Sequence, residues 1–141
     1  MFDADGVAIE PWGFAHALND NYGISLDDTK GFFAGPFQRC LTGHADLSDS
    51  LAPFLDAWRW PGTTQEFIDF WMKSDDQPNS RVISRIRELR STGAECHLAT
   101  NQESTRAAYI RDRMRFDDIF DGLYFSWKLG MRNRIADSLT R

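Results

Sequence analysis

Two aspartates stand one residue apart near the start of the chain, in Phe2-Asp3-Ala4-Asp5-Gly6-Val7. Side chains at i and i+2 of an extended segment point to the same face, so the two carboxylates converge on one small volume. Carboxylates that close repel each other, and one stays protonated unless a cation neutralises the pair. Gly6 allows a sharp turn directly beyond them. The pair is a candidate cation site, although the same letters also spell an ordinary exposed Asp-x-Asp-Gly turn. A second polar pair, Thr100-Asn101, follows the apolar run ending Leu98-Ala99, where a strand end meets a helix N-cap. Neither pair decides the chemistry alone.

The elements that must position them can be read from periodicity and punctuation. Trp12 to Tyr22 has helical spacing, with Trp12, Ala15, Leu18 and Tyr22 on one stripe and Gly23 closing it. Ser25 with Asp28 forms a capping box that opens a second helix through Phe32-Phe33, stopped at Gly35-Pro36. Phe37 to Leu41 is ambiguous, and Thr42-Gly43 reads as a turn. A helix from about Asp46 carries Leu47, Leu51, Leu55 and Trp58, with Pro53 inside it. Thr63 with Glu66 opens another, which buries Phe67, Phe70 and Trp71. Residues 12–74 are therefore helical, without a strand.

The character changes at the polar linker Ser74 to Asn79. Ser80 to Ser91 is an amphipathic helix with Val82, Ile83, Ile86 and Leu89 inward and its arginines outward. Ala94 to Ala99 reads as a strand, Glu103 to Arg115 as a helix, and Leu123 to Ser126 as a further strand. The order strand, helical insert, helix, strand, helix, strand implies a parallel α/β core interrupted after its first strand. Residues 1–11 and 75–141 then make the core, and residues 12–74 the insert. Ligands of open parallel sheets sit beyond the carboxyl ends of the strands, which here carry Asp3-Ala4-Asp5, Thr100-Asn101 and Ser126.

Bulk properties set limits. The chain has 141 residues, 42% of them hydrophobic, with 11 Phe and 5 Trp, enough for a real core. No apolar run is long enough to span a bilayer, and the early acids do not suit a secretory signal. A net charge of -5 argues against nucleic acid or an anionic membrane as partner. Cys40 and Cys96 lack metal-ligand spacing, which leads us to expect a reduced, cytoplasmic protein.

An opening Asp-x-Asp-Gly-Val paired with a later Leu-Ala-Thr-Asn strand end resembles the haloacid dehalogenase (HAD) superfamily. The segment Phe120 to Gly130 looks like the stretch leading to that family's third motif, and the helical insert matches its capped subgroup. The resemblance runs from Met1 to about Arg132. It implies a Rossmann-like parallel three-layer core with a helical-bundle cap inserted after the first strand. It further implies that Asp3 is the nucleophile, forming an aspartyl-phosphate, and that Asp5 protonates the leaving oxygen and then activates water. A Mg²⁺ ion would be held by Asp3 and the backbone carbonyl of Asp5. Thr100 and Asn101 would hold the transferring phosphoryl oxygens. An acid at position 5 favours phosphate esters over haloacids, since a departing halide needs no proton. The expected partner is a small phosphorylated metabolite, with cap residues setting its identity. Phe32, Phe33, Phe37, Trp58 and Trp60 are candidates to face the crevice, and Arg39 is the one nominated for a substrate anion.

Three departures accompany the likeness. The family's third motif continues into Lys-Pro, where this chain has Met131-Arg132-Asn133-Arg134. Arg132 or Arg134 would have to replace the lysine, and a planar guanidinium is a poor substitute. The fourth motif's acid has no counterpart except Asp137, in a polar tail. Only Met1 and Phe2 precede the first aspartate. These departures lead us to expect an incomplete core, truncated at its C-terminus or frameshifted, whose first strand is an exposed edge open to self-association. They also keep a second function open: a catalytically inactive remnant that binds a ligand or partner.

Overall fold

The computed structural model describes residues 1–131, so Arg132, Arg134 and Asp137 lie outside the described residues. Within that span a small parallel sheet and a block of helices make an α/β fold. Two strands run parallel, β1 (His97–Thr100) beside β2 (Gly122–Phe125), with Leu98 opposite Leu123 and Thr100 opposite Phe125. The expected first strand is reduced to a single parallel bridge between Phe2 and Leu98. Phe2 donates to the His97 carbonyl and accepts from the Ala99 N–H, both at 2.8 Å. Alternate backbone groups of a strand point to opposite edges, so Phe2 lies on the edge of β1 away from β2. The chain turns from Ala4 onward, so the pairing does not extend past Phe2 in that direction.

That turn corrects the extended geometry expected for the two aspartates. From Ala4 the chain coils back, with Val7 and Ile9 N–H donating to the Ala4 carbonyl and Gly6 at φ +80°. Ile9 then pairs antiparallel with Pro78. Glu10 donates to the Gln77 carbonyl and Asn79 to the Ala8 carbonyl, each at 2.8 Å, so the chain leaves and re-enters the core side by side.

Between those points run five helices: α1 (Gly13–Tyr22), α2 (Leu26–Ala34), α3 (Phe37–Leu41), α4 (Leu47–Leu55) and α5 (Thr64–Ser74). Three of them, α2, α4 and α5, start on side-chain caps. Ser25 and Asp28 bond reciprocally, Asp46 accepts from the Asp49 N–H, and Thr63 accepts from the Glu66 N–H. The ambiguous Phe37 to Leu41 is helical, begun by Pro36 with its preset φ. An aromatic cluster fills the block, with Phe14 stacked on Trp71 and Phe32 edge-on to Phe33, Phe54 and Trp58.

The remaining helices surround the sheet: α6 (Ser80–Ser91), α7 (Ser104–Ala108), α8 (Phe116–Ile119) and α9 (Ser126–Leu129). The single helix expected over Glu103 to Arg115 is instead α7 followed by a π-helical turn, Tyr109–Arg113. Ser126, expected to end a strand, starts α9. A second apolar cluster includes Ala4, Ile86, Leu98, Ile110, Phe116 and Phe125, separate from the aromatic one. Arg90 at the end of α6 donates to the Asp118 and Ile119 carbonyls and to Asp121, whose other oxygen accepts the Cys96 N–H.

The helical block is fastened to the sheet at α3. Gly43 (φ +78°) closes α3, with the Gly43 N–H on the Cys40 carbonyl and the His44 N–H on the Arg39 carbonyl. A Cβ at Gly43 would lie 2.5 Å from the Trp127 carbonyl oxygen. Ser126 donates to the Leu41 carbonyl at 2.6 Å and accepts from the Gln102 N–H at 3.1 Å. Gly43→Ala therefore adds a left-handed-φ penalty to a backbone clash, and we expect a loss of about 2 kcal/mol in urea unfolding.

Candidate active site

Four of the residues singled out in the sequence meet in one place. Asp3, Asp5, Thr100 and Asn101 all line a cavity of about 560 Å³ between the sheet end and the helical block, within the roughly 300–1,000 Å³ typical of small-molecule sites. Asp3 is buried, 3% exposed, and its Oδ1 accepts the Ala4 N–H at 2.7 Å. The parallel register of β1 carries Thr100 to the same end, buried at 1% exposure. The Thr100 hydroxyl oxygen accepts from Gln102 Nε2 at 3.1 Å.

A buried arginine pairs with Asp5 and with Asp75, a second carboxylate on the cavity. Arg106, on α7 and 3% exposed, donates to Asp5 Oδ1 at 2.6 Å, while Gln102 Nε2 donates to Asp5 Oδ2 at 2.8 Å. Arg106 Nε also donates to Gln102 Oε1 at 3.0 Å, and Arg106 Nη1 lies 3.3 Å from Asp75 Oδ2. Burial alone disfavours the guanidinium charge, but Asp5 and Asp75 outweigh it and hold Arg106 firmly protonated. Burial pushes the Asp75 carboxyl up, with Arg106 pulling it back. Asp75 in turn accepts the Phe14 N–H at 2.8 Å and Trp71 Nε1 at 3.2 Å, which ties the start of α1 to the end of α5. Beneath them buried Glu103 caps α7 through the Thr105 and Arg106 N–H groups, and burial pushes its carboxyl up as well.

Gln102, Arg106 and Asp75 were missed by the sequence reading. Gln102 precedes the Glu103 cap and Arg106 lies in the first turn of α7, so the start of the helix directly after Thr100-Asn101 was the available signal. Asp75 lay hidden in the polar linker.

Other nominated residues fall elsewhere. Arg39 is exposed, outside the cavity, and donates to the His44 carbonyl at 3.3 Å. Phe33 and Phe37 reach the cavity wall, whereas Phe32, Trp58 and Trp60 pack inside the helical block. Ser126 serves the junction with α3 rather than the cavity lining. Trp12 joins the rim instead: it is 60% exposed at φ +69°, a conformation that costs a non-glycine residue about 1–2 kcal/mol.

Magnesium takes hard oxygen ligands, and one or two carboxylates with water and phosphate complete its shell. The buried Asp3 carboxylate faces the cavity, and the Asp5 carbonyl accepts no hydrogen bond among the described residues. That donor set fits magnesium in type. No group of three or more His, Cys, Asp or Glu among the described residues is placed to hold a metal.

The fold has counterparts of known structure. A HAD family enzyme from Bacteroides thetaiotaomicron, solved in complex with magnesium and inorganic phosphate, matches at a TM-score of 0.68 and 14% identity, covering 99% of this chain and 75% of that one. Another structure of the enzyme gives a TM-score of 0.70 at 12% identity, over 99% and 74% of the two chains. Its magnesium complex gives 0.67 at 14%. No family model matches the chain, and comparison with curated proteins finds no relative. At such identities the likeness is one of fold: the chain has the HAD-like α/β fold. Among the described residues no helix is long and apolar enough to cross a membrane.

Proposed function

We propose that the protein is a HAD-type hydrolase, a magnesium-dependent phosphatase acting on a small phosphate ester, with residues 12–74 as its cap. The observation that carries this reading is the meeting of Asp3, Asp5, Thr100 and Asn101 on one cavity. An Asp3 oxygen attacks phosphorus, the ester P–O bond breaks, and the departing oxygen takes a proton from Asp5. Asp5, now ionised, takes a proton from water, whose oxygen attacks phosphorus and frees Asp3 with release of phosphate. Thr100 and Asn101 steady the phosphoryl oxygens. The Asp3 carboxylate and the Asp5 carbonyl would hold magnesium, which would supply the positive charge that lets one anion approach another.

Arg106 and Gln102 already engage the two carboxylate oxygens of Asp5, at 2.6 and 2.8 Å. A carboxyl group so held is less free to serve a leaving group and then a water, and this supports a second reading, a ligand-binding protein without turnover. One assay separates the two. Folded protein incubated with an aryl phosphate should release aryl alcohol with Mg²⁺ and fall to background with EDTA. Absence of magnesium-dependent release would sink the phosphatase reading and leave the binding one.

A further inference from the structure

Resting on that reading, we infer that the substrate's organic part is apolar, an aryl or comparably bulky hydrocarbon group rather than a sugar or polyol. The cavity has two unlike ends. Its floor is polar, made by the strand-end residues already described. Its upper wall comes from α1 to α3 and α5, and there Leu18, Ile24, Leu26, Phe33, Phe37 and Trp71 face the same space. A polyol would need hydrogen-bonding partners on that wall, because hydroxyls moved out of water without partners are penalised. Thr29, Gln38 and Asp75, polar side chains that the wall contributes, are already engaged within the protein. The Thr29 hydroxyl donates to the Leu26 carbonyl at 3.0 Å and the Gln38 amide to the Phe33 carbonyl at 2.8 Å. Asp75 is held by Arg106, Trp71 and the Phe14 N–H.

The rim points the same way. Trp12 and Leu26 are large apolar side chains left 60% and 55% exposed where both line the cavity. The Trp12 ring stacks on no other aromatic ring among the described residues, although the other four tryptophans belong to the aromatic cluster or the sheet core. Its left-handed backbone keeps a bulky ring in solvent at the entrance. A flat apolar group entering the cavity would cover both residues and remove that surface from water.

The test uses phosphonates, which cannot be hydrolysed, so it reads the walls whether or not the protein turns over. Calorimetry with Mg²⁺ should show 1-naphthylphosphonate binding about tenfold or more tighter than 3-hydroxypropylphosphonate. Trp12→Gly relieves the backbone strain while removing the ring, and Leu26→Asp changes an exposed first-turn position, so both variants should fold. Each should shrink the ratio of the two affinities several-fold. Equal affinities, or a ratio untouched in both variants, would overturn the inference. Should 1-naphthol bind as tightly as its phosphonate, the apolar wall stands and the phosphate-binding floor fails, which separates this proposal from the one beneath it.

Discussion

Asp3→Asn should abolish hydrolysis of an aryl phosphate, lowering single-turnover rates by on the order of 10⁴-fold or more, as removal of a nucleophile does elsewhere. The amide keeps the carboxylate's size and can still accept the Ala4 N–H that Asp3 Oδ1 now takes at 2.7 Å. Folding should therefore survive the change, with unfolding free energy altered by less than about 1 kcal/mol. What the variant lacks is an anionic oxygen able to form a bond to phosphorus. Mass spectrometry of acid-quenched protein gives a second readout. A phosphoryl group on the peptide containing Asp3 should appear in the parent and not in the variant. Retention of most of the activity would remove Asp3 from the chemistry and with it the covalent route.

Arg106→Leu should be the most destabilising single change near the cavity, at about 3 kcal/mol in denaturant unfolding. Arg106 is nearly fully buried, and its removal takes the ion partner from Asp5 and Asp75 together. The two carboxylates are not equivalent. The Asp5 side chain is 53% exposed and can turn to water, whereas Asp75 is 17% exposed and cannot. Most of the loss therefore traces to ionised Asp75, whose pKa burial already raises. That gives the effect a pH sign. The raised carboxyl binds its proton more tightly in the folded than in the unfolded chain, so its unfavourable share grows as pH climbs from the ordinary carboxylate range through the raised value. The gap between Arg106→Leu and the parent should accordingly narrow in acid, where Asp75 is protonated in both states. A gap independent of pH would place the loss in packing instead. Arg106→Lys should recover little, because an ammonium cannot meet Asp5, Gln102 and Asp75 at once from one planar fork.

What could be read from the sequence followed local rules. Caps at Ser25, Asp46 and Thr63 lie where residue type and spacing put them, since a side-chain oxygen two or three residues from an unpaired N–H acts locally. The Thr100-Asn101 strand end was legible for the same reason. The N-terminal ladder was not: a strand is stabilised by its partner, and whether Phe2 gains one bridge or a full ladder depends on residues far along the chain. Nor was the partnership of Arg106 with Asp5 and Asp75, which spans most of the sequence and has no periodicity. The π-helical turn arose where α7 gives way beside Tyr109, whose hydroxyl reaches Asp76 at 2.8 Å, again a non-local tie. Arg39 shows the converse failure. A basic side chain in the right segment was nominated by charge, and its backbone position turned it to solvent.

The pairing of Ala8 to Glu10 with Gln77 to Asn79 has an evolutionary consequence. Because departure and return are hydrogen-bonded neighbours, the sheet meets everything from Pro11 to Asp76 as it would meet a tight turn. The entropic cost of closing a loop rises only slowly with its length, by roughly 0.6 kcal/mol for each doubling. Evolution could therefore lengthen, shorten or exchange that excursion at little cost to the sheet and without moving the polar groups at the strand ends. The excursion and the strand-end residues can thus vary separately, joined chiefly through Arg106 and through the grip of Ser126 on α3.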